Sequence, residues 1–342
     1  MRAARFHEFG DSSVMSLDIL PDPVPRMGEV LIRVSACGVN RVDILSRTGQ
    51  TPAPIELPHI LGSEVAGEVH SVGDGVPGIE KGARVLVNPA LSCGACDACL
   101  SGRDNMCRSS LIYGVQTSGG YCEYATAPAS AIIALPESVS FEAAASVTVT
   151  GPTAWHMLFT RGGLRIGETV LVIAAGSGIG VMAVQLAKRA GARVIATASS
   201  DEKLEAARKL GADEVVNHSQ PNWHREVRRL TNGEGADLVF EHVGSATWNS
   251  SIASMRVGGR LVTSGGHSGF DVAINLWSLF AKELTLVGSF SGTRQDLIHV
   301  LDLVAQGAIH PVIYATFPLE RVAEAHVAME SRQVFGKILV VP

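Results

Sequence analysis

Residues 168–198 read ETVLVIAAGSGIGVMAVQLAKRAGARVIATA, and the fold is decided in this stretch. ETVLVIAA (168–175) is a continuous apolar run with the length of a strand covered on both faces. Small residues follow, Ala175-Gly176-Ser177-Gly178-Ile179-Gly180, and then VMAVQLAKRAG (181–191). There Val181, Val184, Gln185 and Ala187–Lys188 recur at helical spacing, with Gly191 at the C-cap position. ARVIATA (192–198) is a second strand. Strand, glycine loop, helix and strand in register are the setting of a dinucleotide fingerprint. Small residues let the backbone turn tightly and approach a pyrophosphate, and the helix start offers unbonded N–H groups and the positive end of its dipole. The competing reading is a tight strand-to-helix turn that holds no ligand.

Downstream the alternation continues. DEKLEAARKL (201–210) is a helix stopped by Gly211, and EVVN (214–217), DLVFEHV (237–243), GRLVTSG (259–265) and LTLVGS (284–289) are further strands. Strands and helices alternating through short connections predict a parallel, doubly wound sheet and an α/β chain. Upstream the pattern differs. EVLIRVSACGVN (29–40), ILGSEVAGEVHSVG (60–73) and ARVLVN (83–88) are short β-branched runs broken by Gly, Pro and Asp, as in a small barrel. The tail, a helix around 320–331 and the strand GKILVVP (336–342), leaves the alternation and is expected to return to the first domain. The expected division is a β-rich domain over 1–130, completed by 291–342, with a Rossmann domain over 131–290.

The composition narrows the function. With 342 residues, 46% hydrophobic and 18% charged, there is ample material for packed cores. Net charge is −5 and no block of five like charges occurs, which argues against nucleic acid and anionic membrane as partners. No apolar run approaches the roughly 18 residues of a membrane span, and MRAARFHEFGDSS at the start lacks the apolar core of a secretory signal. A cytoplasmic location is expected. Four of the six cysteines, Cys93, Cys96, Cys99 and Cys107, fall within fifteen residues. In a reducing compartment this spacing points to one tetrahedral metal, Zn2+, rather than disulfides. A set closed by four thiolates leaves no position for substrate, so such a zinc is structural, one per chain.

The end of the second strand bears on the choice of nucleotide. Sites that select NAD place an acid about 20 residues past the loop, on the ribose 2′-OH. Here ARVIATA runs into Ser199-Ser200-Asp201-Glu202-Lys203. No carboxylate follows Ala198 directly. Ser199, Ser200 and Lys203 are placed to receive a 2′-phosphate, and His218 after the third strand can assist. Asp201 dissents, although one position into a helix it caps or faces solvent. NADPH is the expected cofactor.

Together these features resemble the medium-chain dehydrogenase/reductase superfamily over essentially the whole chain. The resemblance is carried by Gly38-Val39, LGSEVAG (61–67), the four-cysteine loop, Gly119-Gly120-Tyr121, Thr153-Ala154-Trp155, the AAGSGIG loop and Phe335-Gly336-Lys337. It implies a GroES-like catalytic domain made of both chain ends, with a Rossmann NADP-binding domain between them. Zinc alcohol dehydrogenases of this superfamily hold a second, catalytic zinc with Cys, His and Cys. Aligned on Asp43, this chain has Asn40 at the first ligand position and Val42 at the hydroxyl relay. Ser63 replaces the histidine of Gly-His-Glu, and Val149 occupies the third ligand position. Without a Lewis acid to polarise a carbonyl, the acceptor must itself be electrophilic, such as a quinone or an α,β-unsaturated carbonyl compound. The pairs Gly38-Val39-Asn40 and Gly62-Ser63 resemble the quinone oxidoreductase branch, whose members mostly lack the four-cysteine loop.

By family position Asn40 would bond the nicotinamide ribose and Thr153 would lie beside the nicotinamide ring. Ser177, Gly178, Ile179 and Gly180 would hold the pyrophosphate, with backbone contacts from His242, Val243, Ser264 and Gly265. Lys337 would bind phosphate or stand solvated, and Arg41 would reach the pyrophosphate or face solvent. Glu64 is expected to pair with an arginine. Tyr113, Tyr121 or water would deliver the proton that enone reduction requires. Trp155, Trp277 and Phe280 suggest a hydrophobic carbonyl or quinone substrate. A homodimer joined at LTLVGS is expected, with a tetramer as the alternative. Two rival readings stay open: an alcohol or aldehyde dehydrogenase of the zinc-containing type, and an NADPH-binding protein with a structural or regulatory role.

Overall fold

The computed structural model describes residues 1–51 and 53–342. The chain forms two compact units, Met1–Val149 with Thr293–Pro342, and Thr150–Gly292. The first unit keeps the segment 131–149, which the sequence reading placed in the second. Its helix Phe141–Val147 begins at Ser140, whose Oγ accepts from Ala143 N, and packs on the strands Glu29–Val39 and Glu64–Val72. Which sheet a short Ala-rich helix covers is a tertiary matter that its own periodicity does not carry.

The main sheet of the first unit runs Ile132–Ala134, Arg84–Val87, Glu64–Val72, Glu29–Val39, Lys337–Val341, Ile313–Pro318, and Tyr124–Pro128 also pairs with Glu29–Val39. A smaller sheet sets Arg2–Phe6 between Met15–Ile19 and His59–Ile60. Phe6, Ile32, Leu61, Val65, Tyr121 and Val340 meet in the core between them. The last strand of the chain is an interior one. Lys337–Val341 pairs antiparallel with Glu29–Val39, Ile338 opposite Val39 and Val340 opposite Cys37, and parallel with Ile313–Pro318. Its first four residues are buried, so this strand, which stands outside the alternation in sequence, closes the first unit.

Gly38 lies opposite Glu64 in the ladder between the strands Glu29–Val39 and Glu64–Val72. A Cβ at position 38 would be built onto Glu64 Oε2 and within 3 Å of Ala145 O. Glycine is needed there for space.

The second unit is a six-stranded parallel sheet in the order Glu214–Asn217, Arg193–Ala198, Thr169–Val172, Ala236–Glu241, Met255–Thr263, Thr285–Gly288. This is the doubly wound order in which the chain reverses direction beside its first strand. The helix Gly178–Arg189 buries Val181, Val184 and Leu186 against the sheet and ends before Gly191, which takes φ +79°. Arg260 ties the lower edge, pairing with Glu168 and donating to Gly163 O (3.1 Å). Thr285–Gly288 is an edge strand, and the helix Leu276–Ala281 before it exposes Leu276, Trp277 and Phe280. Among the described residues, no helix is long and apolar enough to cross a membrane.

The close approach at Gly38 gives a direct test. Gly38→Ala forces either the sheet or the Glu64 carboxylate to shift, and it is expected to cost about 1–3 kcal/mol of stability. A denaturant midpoint equal to that of the parent would show that the approach is not tight.

Candidate functional site

In the second unit the site is built at the carboxyl ends of the central strands. Past Thr169–Val172 the backbone turns at Ala174, which takes φ +50°. Ser177 then starts the helix, its Oγ accepting from Gly180 N at 2.9 Å. A Cβ on Gly180 would fall within 3 Å of Ala174 O, Ala175 Cα and Ser177 Oγ. The loop therefore closes on itself at that residue, and the helix opens on Gly178 and Gly180, where small residues let an anion approach the backbone.

The neighbouring strand Ala236–Glu241 brings His242 to this loop. Its Nε2 lies 2.9 Å from Ile173 O and 3.2 Å from Ser177 Oγ. A carbonyl only accepts, so Nε2 carries the proton, and the buried Nδ1 is a lone-pair acceptor with no partner. Burial pushes the His242 pKa down to about 4, which keeps the ring neutral. Glu241, fully buried, holds the following turn by accepting from Val243 N (2.7 Å), Gly244 N (3.2 Å), Thr247 Oγ1 (3.0 Å) and Ser251 Oγ (2.5 Å). Ser264 N reaches Glu241 O at 3.3 Å, and Gly265 packs against the His242 carbonyl. Ser177, His242, Val243, Ser264 and Gly265 are thus brought together. Glu241 was not anticipated, because an acid ending an apolar strand reads as a solvent-facing terminus.

The second strand ends in the pocket expected to take a phosphate. Ser200 caps the helix Asp201–Lys209, and Lys203 stands in its first turn with burial lowering its pKa. His218 N donates to Ala198 O (3.0 Å) and Ser219 Oγ to Ser199 O (3.2 Å), which holds Ser199, Ser200 and His218 beside one another. Thr197 links this pocket to the glycine loop. Its Oγ1 accepts from Ala174 N (3.1 Å) and shares a hydrogen bond with His218 Nδ1 (2.9 Å). Burial holds His218 below the ordinary histidine range. Thr197 is a further residue missing from the sequence reading, since a lone Thr inside an apolar strand reads as β-branched filler.

In the first unit Asn40 begins the helix Arg41–Arg47, its backbone N–H donating to Asp43 Oδ2 at 2.7 Å. Lys337 is 4% exposed, and its ammonium faces Val39 O (2.8 Å), Asn40 Oδ1 (2.8 Å) and Glu64 Oε2 (2.5 Å). Two expectations are corrected here. Lys337 is not solvated: its ammonium is buried, donates to Val39 O and Asn40 Oδ1, and is ion-paired with Glu64. Glu64 pairs with this lysine rather than with an arginine, and its Oε1 accepts from Val149 N at 2.7 Å. Among the described residues, Asn40 Nδ2 and Ser63 Oγ are buried without a partner. Tyr121 is fully buried and donates to Asp43 Oδ2 (3.0 Å), and Tyr113 donates to Thr126 O (3.0 Å). Neither phenol is therefore presented as a proton donor. Burial pushes the Asp43 carboxyl up to about 6 and both phenols well above their ordinary range. Thr153, of the second unit, is buried in the helix Thr150–Trp155.

The four cysteines converge. Their Sγ atoms lie within 4.8 Å of one another, with Cys96 and Cys99 at 3.6 Å and Cys93 and Cys99 at 3.9 Å. Zn–S bonds of about 2.3 Å in a tetrahedron place sulfurs roughly 3.8 Å apart, so the donor set fits zinc. Among the described residues this is the one group of three or more Cys, His, Asp or Glu side chains close enough to share an ion. Asp104, inside the loop, accepts from Arg294 N at 3.0 Å and fastens the lobe to the helix Arg294–Ala305.

Comparison with known proteins agrees with this architecture. Residues 26–137 match the family described as alcohol dehydrogenase GroES-like domain, and residues 178–306 match zinc-binding dehydrogenase. The chain is 33% identical over 341 residues to the alcohol dehydrogenase of Geobacillus stearothermophilus, covering 99% of each. It is 31% identical over 333 residues to human quinone oxidoreductase, covering 95% of this chain and 93% of the other. A solved structure described as an NAD-dependent alcohol dehydrogenase superposes with TM-score 0.97 at 41% identity over 100% of both chains. With these relatives, a GroES-like unit and a doubly wound sheet, the chain belongs to the medium-chain dehydrogenase/reductase superfamily of oxidoreductases.

Proposed function

We propose that this protein is an NADPH-dependent reductase that delivers hydride to a quinone or to the activated double bond of an α,β-unsaturated carbonyl compound, with no catalytic zinc. The observation that carries the reading is the fate of the zinc-ligand positions. Asn40, Ser63 and Val149 stand there, Val42 stands at the hydroxyl relay, and the adjacent Glu64 is committed to Lys337. None of these can supply the soft or imidazole donors of an open zinc site.

When bound, the dinucleotide supplies the hydride. The chain's own residues would hold and orient it: the backbone N–H groups of Gly178 and Ile179 at the helix start and the turn at His242-Val243 and Ser264-Gly265 would take the pyrophosphate and ribose, and Thr153 would lie beside the nicotinamide. Lys203 supports the choice of NADPH. It lies in the first turn of the helix Asp201–Lys209, directly after the second strand, where a cation suits a 2′-phosphate. His218, held beside Ser199 and Thr197, is a second polar group for the 2′-phosphate. After hydride reaches Cβ of an enone, the enolate takes a proton at Cα. Tyr113 and Tyr121 are engaged and buried, so water provides it; a quinone needs only hydride and one water-derived proton. A second reading, alcohol or aldehyde oxidoreduction, is favoured by the similarity to alcohol dehydrogenases.

Zinc held by Cys93, Cys96, Cys99 and Cys107 supplies a crosslink within the loop. A second copy of the chain is the natural partner of the open strand edge Thr285–Gly288 and the apolar side chains Trp277 and Phe280 beside it.

NADPH oxidation followed by absorbance separates the two readings. Turnover is expected with an ortho-quinone or a simple enone, better with NADPH than with NADH, and Lys203→Ala should raise KM for NADPH on the order of tenfold while leaving NADH nearly unchanged. Reduction of an aldehyde alone would sink the zinc-free reading. Elemental analysis should find a single zinc per chain, lost with a lower thermal midpoint in Cys107→Ser; a zinc-free protein of unaltered stability would contradict the crosslink. Analytical ultracentrifugation should give a dimer that Val287→Lys weakens, and a monomeric parent would refute the edge pairing.

A further inference from the structure

A cavity beside the cysteine lobe takes no part in the chemistry above. It measures about 390 Å³ and lies wholly within the first unit, lined by the loop of the four cysteines and by the start of the helix Arg294–Ala305. Cys93 and Cys99 stand in its walls, with Asn88, Asp104, Arg294 and Ile298 among the others. Arg294 is fixed there. Its guanidinium donates to Ser130 O (3.0 Å) and Ile132 O (2.7 Å), and its backbone N–H donates to Asp104 Oδ2 (3.0 Å). The cavity is therefore part of the fold. Exposure divides the four thiols: Cys93 is exposed, Cys96 and Cys99 are half-buried, and Cys107 alone is buried. A crosslink would be served as well by four buried sulfurs, whereas reactivity toward oxidants follows exposure.

We propose that Cys93 and Cys99 form a site of reversible oxidation, where a hydroperoxide entering the cavity joins them in a disulfide and frees the zinc. This step stands apart from the reductase reading and rests only on the zinc crosslink. The Cys93 thiolate attacks the terminal oxygen of the peroxide, the O–O bond breaks, and the departing alkoxide or hydroxide takes up a proton. Cys93 is then a sulfenic acid. Cys99, 3.9 Å away and the other sulfur in the cavity wall, attacks the Cys93 sulfur; the S–S bond forms and hydroxide leaves, protonated to water. Two electrons pass from the two sulfurs to the peroxide. Closing the gap to a bond of about 2 Å needs movement of one sulfur. Gly94 permits it, with φ +71° and nothing within 4 Å of where a Cβ would stand. Cys96 lies 3.6 Å from Cys99 but outside the cavity walls, so it stays reduced with Cys107. The ion is left with two of its four ligands, too few for a structural site. A dithiol reverses the step by exchange.

The test uses the full-length, zinc-loaded protein with hydrogen peroxide and, separately, with cumene hydroperoxide. Zinc release is followed with a chromogenic chelator, thiols are counted in denaturant, and linked peptides are identified by mass spectrometry. Zinc should appear in step with a fall in titratable thiols from six to four, together with a Cys93–Cys99 peptide and a lower thermal midpoint. Dithiothreitol with added zinc should restore the parent state. Gln295, an exposed residue lining the same cavity, supplies a variant that touches no sulfur. Gln295→Trp narrows the cavity and should slow release by cumene hydroperoxide several-fold, with less effect on the smaller hydrogen peroxide. If that variant has a lower thermal midpoint before oxidation, Ser130→Trp, also exposed on the cavity, is measured in its place. Zinc retained with six thiols under excess peroxide would overturn the proposal, as would a linked pair other than Cys93 with Cys99, or sulfonate without a disulfide. Parent-like rates with cumene hydroperoxide in a narrowed, stable variant would overturn the cavity as the route. If the purified protein carries no zinc, the crosslink reading fails by itself, and the linked peptide and the thiol count then decide the oxidation.

Discussion

The first unit is organised around one buried ion pair, Glu64 with Lys337. Two charges taken out of water are expensive to hold, and their attraction offsets that cost only where the remaining hydrogen-bonding capacity is filled. Here most of it is filled, by Val149 N on Glu64 Oε1 and by Val39 O and Asn40 Oδ1 on the ammonium, and Glu64 Oε2 has the ion pair alone. The pair demands three things of the chain. Residue 38 must lack a side chain, the helix Phe141–Val147 must end where Val149 can donate, and the C-terminal strand must enter the interior of the sheet in one register. A slip by a single residue would turn Lys337 to the other face.

The second unit solves a different problem, that of gathering polar groups at one edge of a largely apolar sheet. Parallel strands end together, and the doubly wound order sets the first and fourth strands side by side. The glycine loop and His242 meet there for that reason. Thr197 ties the glycine loop to His218 through a single hydroxyl, which meets Ala174 N and His218 Nδ1. Glu241 is spent on shaping a turn, its carboxylate oxygens taken up by neighbouring N–H and O–H groups.

What was legible in the sequence is what is local. The strand, loop, helix and strand of residues 168–198 carry their own signals in periodicity and small residues, and the four cysteines announce themselves by spacing. What escaped was long-range or disguised. Lys337 and Asn40 are 297 positions apart, and nothing in Phe335-Gly336-Lys337 tells a buried lysine from a solvated one. Thr197 and Glu241 sit in strands whose alternation is already masked by burial on both faces. The segment 131–149 was misplaced because an amphipathic helix does not name the sheet it will cover.

The interior position of the C-terminal strand has a consequence for synthesis. Residues 150–292 are contiguous and leave the ribosome with every strand of their sheet in hand. The first unit, by contrast, remains without its strand Lys337–Val341 until the whole of residues 150–292 has been made. During that interval the strand Glu29–Val39 has one unpaired edge, and Glu64 has no counterion. Such an edge invites pairing with other nascent chains, so the first unit stays exposed for as long as the second takes to be made.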